Sequence, residues 1–191
     1  MPSRNRKKIL FVAVLIAAGF GTSGLASAQP VPDTAAAAGV FGAYAPGRAA
    51  STYDPALVPP GSSAGAARFA PGTGGTTVVF GVRGLVPDRA YGAHVHTKAC
   101  GATGEAAGPH FQNVPDPVQP SVDPAYANPR NEVWLDFTTD ATGTGFAASS
   151  LDWRFAGRAA KSIVIHETPT HTGAGHAGMA GARLACLNIG L

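Results

Sequence analysis

Beyond its first fifty residues the chain is written in short runs that alternate apolar and polar side chains, the spacing of a half-buried β-strand. Val78, Phe80 and Val82 interleave with Val79, Gly81 and Arg83, so one face of that segment is clearly apolar. Runs of this kind predict strands over Tyr53–Val58, Ala64–Phe69, Thr76–Leu85 and Ala90–Thr97. They resume over Glu132–Thr139, where Val133, Leu135 and Phe137 share a face, and over Gly145–Phe155, Lys161–His166 and Ala182–Ile189. Asp140–Gly143 reads as a hairpin connection. Six prolines between Gly108 and Asn131 exclude a regular helix or a central strand there and predict a long loop, a kind of segment that is usually functional in compact domains. No long helical period appears in this part of the chain, and about eight short strands predict an all-β fold, an antiparallel sandwich or barrel with long loops.

The N-terminus reads differently. Arg4, Arg6, Lys7 and Lys8 precede an unbroken apolar run from Ile9 to Phe20, and a small-residue stretch ends in Ala26-Ser27-Ala28. That order is a secretory signal peptide, residues 1–28, with cleavage expected after Ala28. The run is shorter than the roughly 20 apolar residues a bilayer-spanning helix needs, so no stable membrane insertion is expected once the signal is removed. Gln29 to Ala50, with Ala35–Ala38 as simple repetition, reads as a flexible leader. Residues 51–191 are then the folded domain.

Removing the signal changes the charge picture. Four of the fourteen basic residues and none of the eleven acidic ones lie in residues 1–28, so ten basic side chains face eleven acidic ones in the remainder. Near-neutrality removes the electrostatic case for nucleic acid that the basic precursor suggests. The sequence does not reveal the oligomeric state, and a monomer is compatible with it. Cys100 and Cys186 both lie in the exported part, where an oxidising compartment would join them; two separate buried thiols are the alternative.

All six histidines fall between His94 and His176. In Gly92-Ala93-His94-Val95-His96 a strand points both imidazoles to one face while Val95 packs the other way. His110 opens the proline-rich loop, and His166 ends the apolar run Ile163-Val164-Ile165. Imidazoles without thiolate suit copper, zinc, nickel or iron, and four nitrogens in a tetragonal array favour Cu(II). The residues alone reach a histidine-rich metal site on a β-domain and do not name a reaction.

Four blocks together resemble the copper/zinc superoxide dismutase family: Gly92-Ala93-His94-Val95-His96, Gly108-Pro109-His110-Phe111, Ser162-Ile163-Val164-Ile165-His166-Glu167 and Gly181-Ala182-Arg183-Leu184-Ala185-Cys186. They occur in family order over roughly Val78 to Ile189. The resemblance implies a Greek-key β-barrel, copper held by His94, His96, His110 and His166, a Cys100–Cys186 disulfide, and Arg183 beside the metal, where a fixed guanidinium concentrates and orients a small anion. It implies superoxide as substrate, one molecule oxidised to oxygen and a second reduced, with two protons, to hydrogen peroxide; the signal peptide makes a secreted or cell-envelope protein the expectation.

The sequence also departs from that family. Between His110 and His166 it has no histidine, and Asp116, Asp123 and Asp136 alone make a poor tetrahedral zinc site; a copper-only protein without the family zinc is therefore expected. Asp116, Asp123 and Glu132 are the candidates for orienting His110. The family's aspartate linking the metal ligands is missing near Thr170, although His171 and His176 stand in that loop as possible accessory ligands. A non-catalytic copper-binding or copper-delivery protein on the same scaffold is the competing reading.

Overall fold

The computed structural model describes residues 34–70, 74–155, 157–158 and 160–190. The signal-peptide reading of residues 1–28 lies outside them. Nine strands form: β1 Thr34–Gly42, β2 Ala50–Thr52, β3 Ser63–Phe69, β4 Thr76–Arg83, β5 Ala90–His96, β6 Phe137–Thr138, β7 Gly145–Leu151, β8 Ser162–His166 and β9 Arg183–Asn188. The only helical element among the described residues is a 3-10 turn at Gly104–Ala107, and no described helix is long and apolar enough to cross a membrane.

The strands hydrogen-bond in the order β6-β5-β8-β9-β2-β1-β3-β4-β7. The two end strands, β6 and β7, follow each other through a turn in which the Asp140 carboxylate accepts from the Thr142 and Thr144 amides. The Phe137 ring of β6 packs against Gly145 of β7, so the sheet curls into a nearly closed barrel, the all-β architecture the alternation predicts. Its interior is filled by the inward faces of both halves, including Val78, Phe80, Val82, Tyr91, Val95, Leu135 and Ile163. Pairing is antiparallel except for the short β1–β2 contact at Phe41↔Ala50 and Gly42↔Ser51.

Three expectations are corrected. The leader assigned to 29–50 contains a nine-residue strand, β1, paired with β3 along its whole length. Its alanines and glycines are not a tether: a Cβ on Gly39 would come within 2.7 Å of the Ala50 Cβ, so small side chains are what let β1 lie close to β2. Tyr53–Val58 is a turn, because the Asp54 carboxylate accepts from the amides of Ala56 and Leu57 and curls the chain away from the sheet. Most of Glu132–Thr139 runs beside β5 through isolated bridges, and only Phe137–Thr138 pairs as a strand.

Candidate metal centre

Strand β5 supplies two of the histidines. His94 and His96 are fully buried on one of its faces, and Val95 between them belongs to the core on the other. His166 ends β8, opposite Gly92 of β5, at a register shift between Ile165 and His166. His110 is brought alongside β5 by a bridge to His96. One nitrogen from each of the four rings lies within 4.8 Å of the others.

The rings stand in a four-sided array. Centroid separations are 4.0 Å for His94–His110, 4.8 Å for His110–His96, 5.6 Å for His96–His166 and 4.8 Å for His166–His94, while the diagonals His94–His96 and His110–His166 are 6.4 and 6.0 Å. Burial first, then the neighbouring imidazoles, holds His94 and His96 well below the usual histidine range. Burial, then His110 and Arg183, pulls His166 down to about 3. These three imidazoles are neutral at physiological pH, as metal ligands must be.

Hydrogen bonds on the outer nitrogens fix which atom is free. Thr170 gives its hydroxyl proton to Asp136 Oδ1 at 2.7 Å, so its oxygen accepts from His94 Nε2–H at 2.6 Å, and the buried His94 Nδ1 is left without a partner. His96 Nδ1–H donates to the Gly108 carbonyl at 2.9 Å, which frees Nε2, 3.4 Å from His166 Nε2. His110 Nδ1–H donates to Glu132 Oε2 at 2.8 Å. Three lone pairs thus point into the array with their tautomers set by acceptors behind them, the usual support for metal-bound imidazole. The buried Nδ1 atoms of His94 and His166 have no hydrogen-bond partner, and unpaired nitrogens beside clustered imidazoles fit a bound cation.

Glu132 is itself almost fully buried. It also accepts from Trp134 Nε1 at 2.7 Å and from Gln112 Nε2 at 2.8 Å, so both of its buried carboxylate oxygens are hydrogen-bonded. Gly178, at a φ of +79°, lets the 167–182 loop pass over this pair, its absent Cβ lying 3.7 Å from His110 Nδ1. Beside the cluster lies a cavity of about 350 Å³ whose wall includes His110, His166, Met179 and Arg183. The Arg183 guanidinium donates through Nη1 to the carbonyls of Gly104 and Gly108 at 3.0 and 2.8 Å. Cys100 and Cys186 form a disulfide that ties this carbonyl-bearing loop to β9.

The sequence profile of the copper/zinc superoxide dismutase (SODC) family matches residues 63–189. The chain belongs to the copper/zinc superoxide dismutase family. No curated protein matches its sequence. Among solved structures, the clock protein EA4 superposes with a TM-score of 0.55 at 19% identity, covering 85% of this chain and 97% of that one. The Cu/Zn superoxide dismutase from Brucella abortus gives 0.54 at 18% identity, covering 82% and 99%. At such identity these likenesses concern the fold.

Within this dismutase-family barrel the structure brings His94, His96, His110 and His166 together and sets Arg183 on the same cavity. His171 and His176 are exposed in the 167–182 loop and are not part of the group. Of the three carboxylates that could orient His110, Glu132 does so. Asp116 instead accepts from Ser121 and the Val118 amide, and Asp123 accepts from the Ala125 amide. Near Thr170, where the family's linking aspartate is missing, Thr170 and Asp136 together support one ring, His94. Its signal was present: with Val133, Leu135 and Phe137 facing the core, period two puts Glu132, Trp134 and Asp136 on the opposite face, beside the histidines.

Proposed function

We propose that the chain is an extracytoplasmic, copper-only superoxide dismutase in which His94, His96, His110 and His166 hold the metal. The observation that carries the reading is the four-sided array of imidazoles, three of them with lone pairs turned inward by the acceptors behind them, a donor set that suits Cu(II) over a tetrahedral ion. Copper, when bound, supplies the one-electron chemistry that disproportionates superoxide to oxygen and hydrogen peroxide.

The chain's own residues do the rest. Arg183, clamped by two carbonyls on the cavity wall, draws the anion in and aligns it. Burial lowers its pKa from the usual arginine value, but a guanidinium keeps its charge at any physiological pH. Glu132 accepts a hydrogen bond from His110 Nδ1–H, the nitrogen that faces zinc in two-metal relatives, so that no second metal is needed to hold the ring. Thr170 with Asp136 does the same for His94. Export is supported by the disulfide and by the N-terminal signal pattern.

A copper-binding or copper-delivery protein without turnover is the second reading, because the same cluster of four imidazoles would hold copper whether or not superoxide is turned over. Copper-loaded, disulfide-intact protein should remove superoxide far faster than the same concentration of free copper displaced by chelator. Tight copper binding with removal no faster than a copper-loaded His94→Ala, His166→Ala control would favour delivery or storage.

A further inference from the structure

The four clustered rings are not equally reachable. His94 and His96 are fully buried, and His110 and His166 are the two that stand on the wall of the cavity of about 350 Å³. A metal ion arriving from solvent through this cavity therefore meets the cluster at His110 and His166. Taking an ion out of water costs several kcal/mol unless ligands replace the water as it leaves, so a donor at the mouth would ease its entry. Met179 stands there. It belongs to the cavity wall and yet is 49% exposed, and it is the one methionine of the chain besides Met1. Its thioether is a soft donor of the kind that selects Cu(I).

The backbone sets a second donor beside it. The 167–182 loop continues β8 and β9 as a hairpin: Glu167 N–H donates to Ala182 O at 3.0 Å, Thr168 N–H to Ala180 O at 2.9 Å and His171 N–H to Met179 O at 2.8 Å. Gly178, at a φ of +79°, donates its N–H to His171 O at 2.9 Å. Gly178 and Met179 together thus oppose the single residue His171. That is a bulge opened by a left-handed glycine, a device that re-aims a side chain and is frequent beside functional sites. Opposed residues of such a ladder have Cβ atoms about 5 Å apart, close enough for a thioether and an imidazole to share one ion. Met179 N–H in turn donates to His176 O at 3.0 Å, which fixes the backbone that carries the sulfur.

We propose that Met179 and His171 form a second, transient copper site at the mouth of the cavity, which takes Cu(I) from solution and passes it to the four-histidine cluster by way of His110 and His166. The inference rests on the copper reading given above. Transfer is a ligand exchange without change of oxidation state: Cu(I) gives up the thioether sulfur and one imidazole nitrogen and gains ring nitrogens of the cluster. No proton has to leave His94 or His96, whose inward nitrogens already carry lone pairs. One soft donor and one imidazole capture Cu(I) but do not retain it against four imidazoles.

Two measurements on the metal-free, disulfide-intact chain test this. With methyl-labelled methionine, Ag(I), a redox-inert stand-in for Cu(I), added in excess of the cluster should shift the Met179 methyl resonance. His171→Gln should weaken that binding by about tenfold or more, as loss of a metal-supporting residue does. Stopped-flow transfer of Cu(I) from a chromogenic chelator, under argon with ascorbate so that the disulfide survives, should be slowed about tenfold or more in Met179→Leu and in His171→Gln. The copper finally bound per chain and the Cu(II) EPR spectrum after air oxidation should not change. Met179→Leu conserves volume, and an unchanged final copper content excludes misfolding as the cause of slow loading. If the four histidines fail to hold copper, the Ag(I) shift and its dependence on His171 persist, so the two readings fail separately. A Met179 methyl that ignores Ag(I), or loading of both variants at the parent rate, overturns the proposal.

Discussion

His96 and Arg183 donate to the same atom. The carbonyl oxygen of Gly108 accepts His96 Nδ1–H at 2.9 Å and Arg183 Nη1–H at 2.8 Å, so the ring that presents a ligand nitrogen and the cation that faces the cavity are positioned by one backbone group. Arg183→Ala should lower kcat/KM for superoxide by about tenfold or more, within the range electrostatic steering supplies. It should also perturb the copper EPR spectrum slightly, because His96 loses a neighbour on its acceptor. Arg183→Lys should recover part of the rate at low salt, as it keeps the charge without the planar fork. An unchanged rate in Arg183→Ala would remove the guanidinium from the account.

In the proposed copper-only reading, Glu132 is the carboxylate that supports His110 in place of a second metal. Glu132→Gln keeps the shape but weakens the acceptor shared by His110 Nδ1–H and Trp134 Nε1–H, and loss of such a support costs about 10–100-fold in metal affinity. Copper competition titration should show that drop, while Asp116→Asn, whose carboxylate binds only the proline-rich loop, should leave copper affinity within about threefold.

Thr170→Val is nearly isosteric and removes the acceptor of His94 Nε2–H. The nearest remaining carboxylate oxygen, on Asp136, is 4.0 Å away, beyond hydrogen-bonding reach. An unpaired buried donor costs about 1–3 kcal/mol, so chemical denaturation of the metal-free protein should reveal a loss of that size, and copper should bind more weakly. Equal stability in both proteins would show that His94 is held by packing alone.

The metal-free protein should lose stability in acid. In the unfolded chain each imidazole takes up its proton near pH 6.5, whereas His94 and His96 resist it and His166 does so down to about 3. Between those limits the unfolded state binds more protons, so stability is full above about pH 6.5 and falls as pH drops toward 3, by about 1.4 kcal/mol per unit for each such group. Urea midpoints measured from pH 7.5 to 4.5 check the slope, and bound copper should shift the fall to lower pH. A flat profile would mean that the rings are not buried neutral.

The disulfide closes 86 positions, and in the chain-entropy picture its removal destabilises the fold by about 4–5 kcal/mol. Cys100→Ser with Cys186→Ser should lower Tm. Because the bridge anchors the loop whose carbonyls hold Arg183, it should also reduce kcat/KM more than copper content.

Most of the barrel was legible because inward Val, Phe, Leu and Ile alternate with polar residues, and burial enforces that register. β1 was not, since alanine has little strand preference and its run resembles low-complexity leader; only the close approach of β2 explains it. The four histidines that cluster were legible because two lie at strand spacing and two end or begin apolar blocks. Glu132 could be named but not ranked, because the path of a loop with six prolines decides which carboxylate reaches His110. Thr170 was not found at all: a hydroxyl that relays an aspartate has no spacing signature.

Metal content and EPR on one sample test the central claim most directly. Protein refolded with equal copper and zinc, disulfide intact, should carry one copper per chain and no stoichiometric zinc. Its Cu(II) spectrum should be tetragonal with superhyperfine structure from several equivalent nitrogens, lost in His94→Ala. Stoichiometric zinc beside the copper, or a copper signal without nitrogen coupling, would contradict the account.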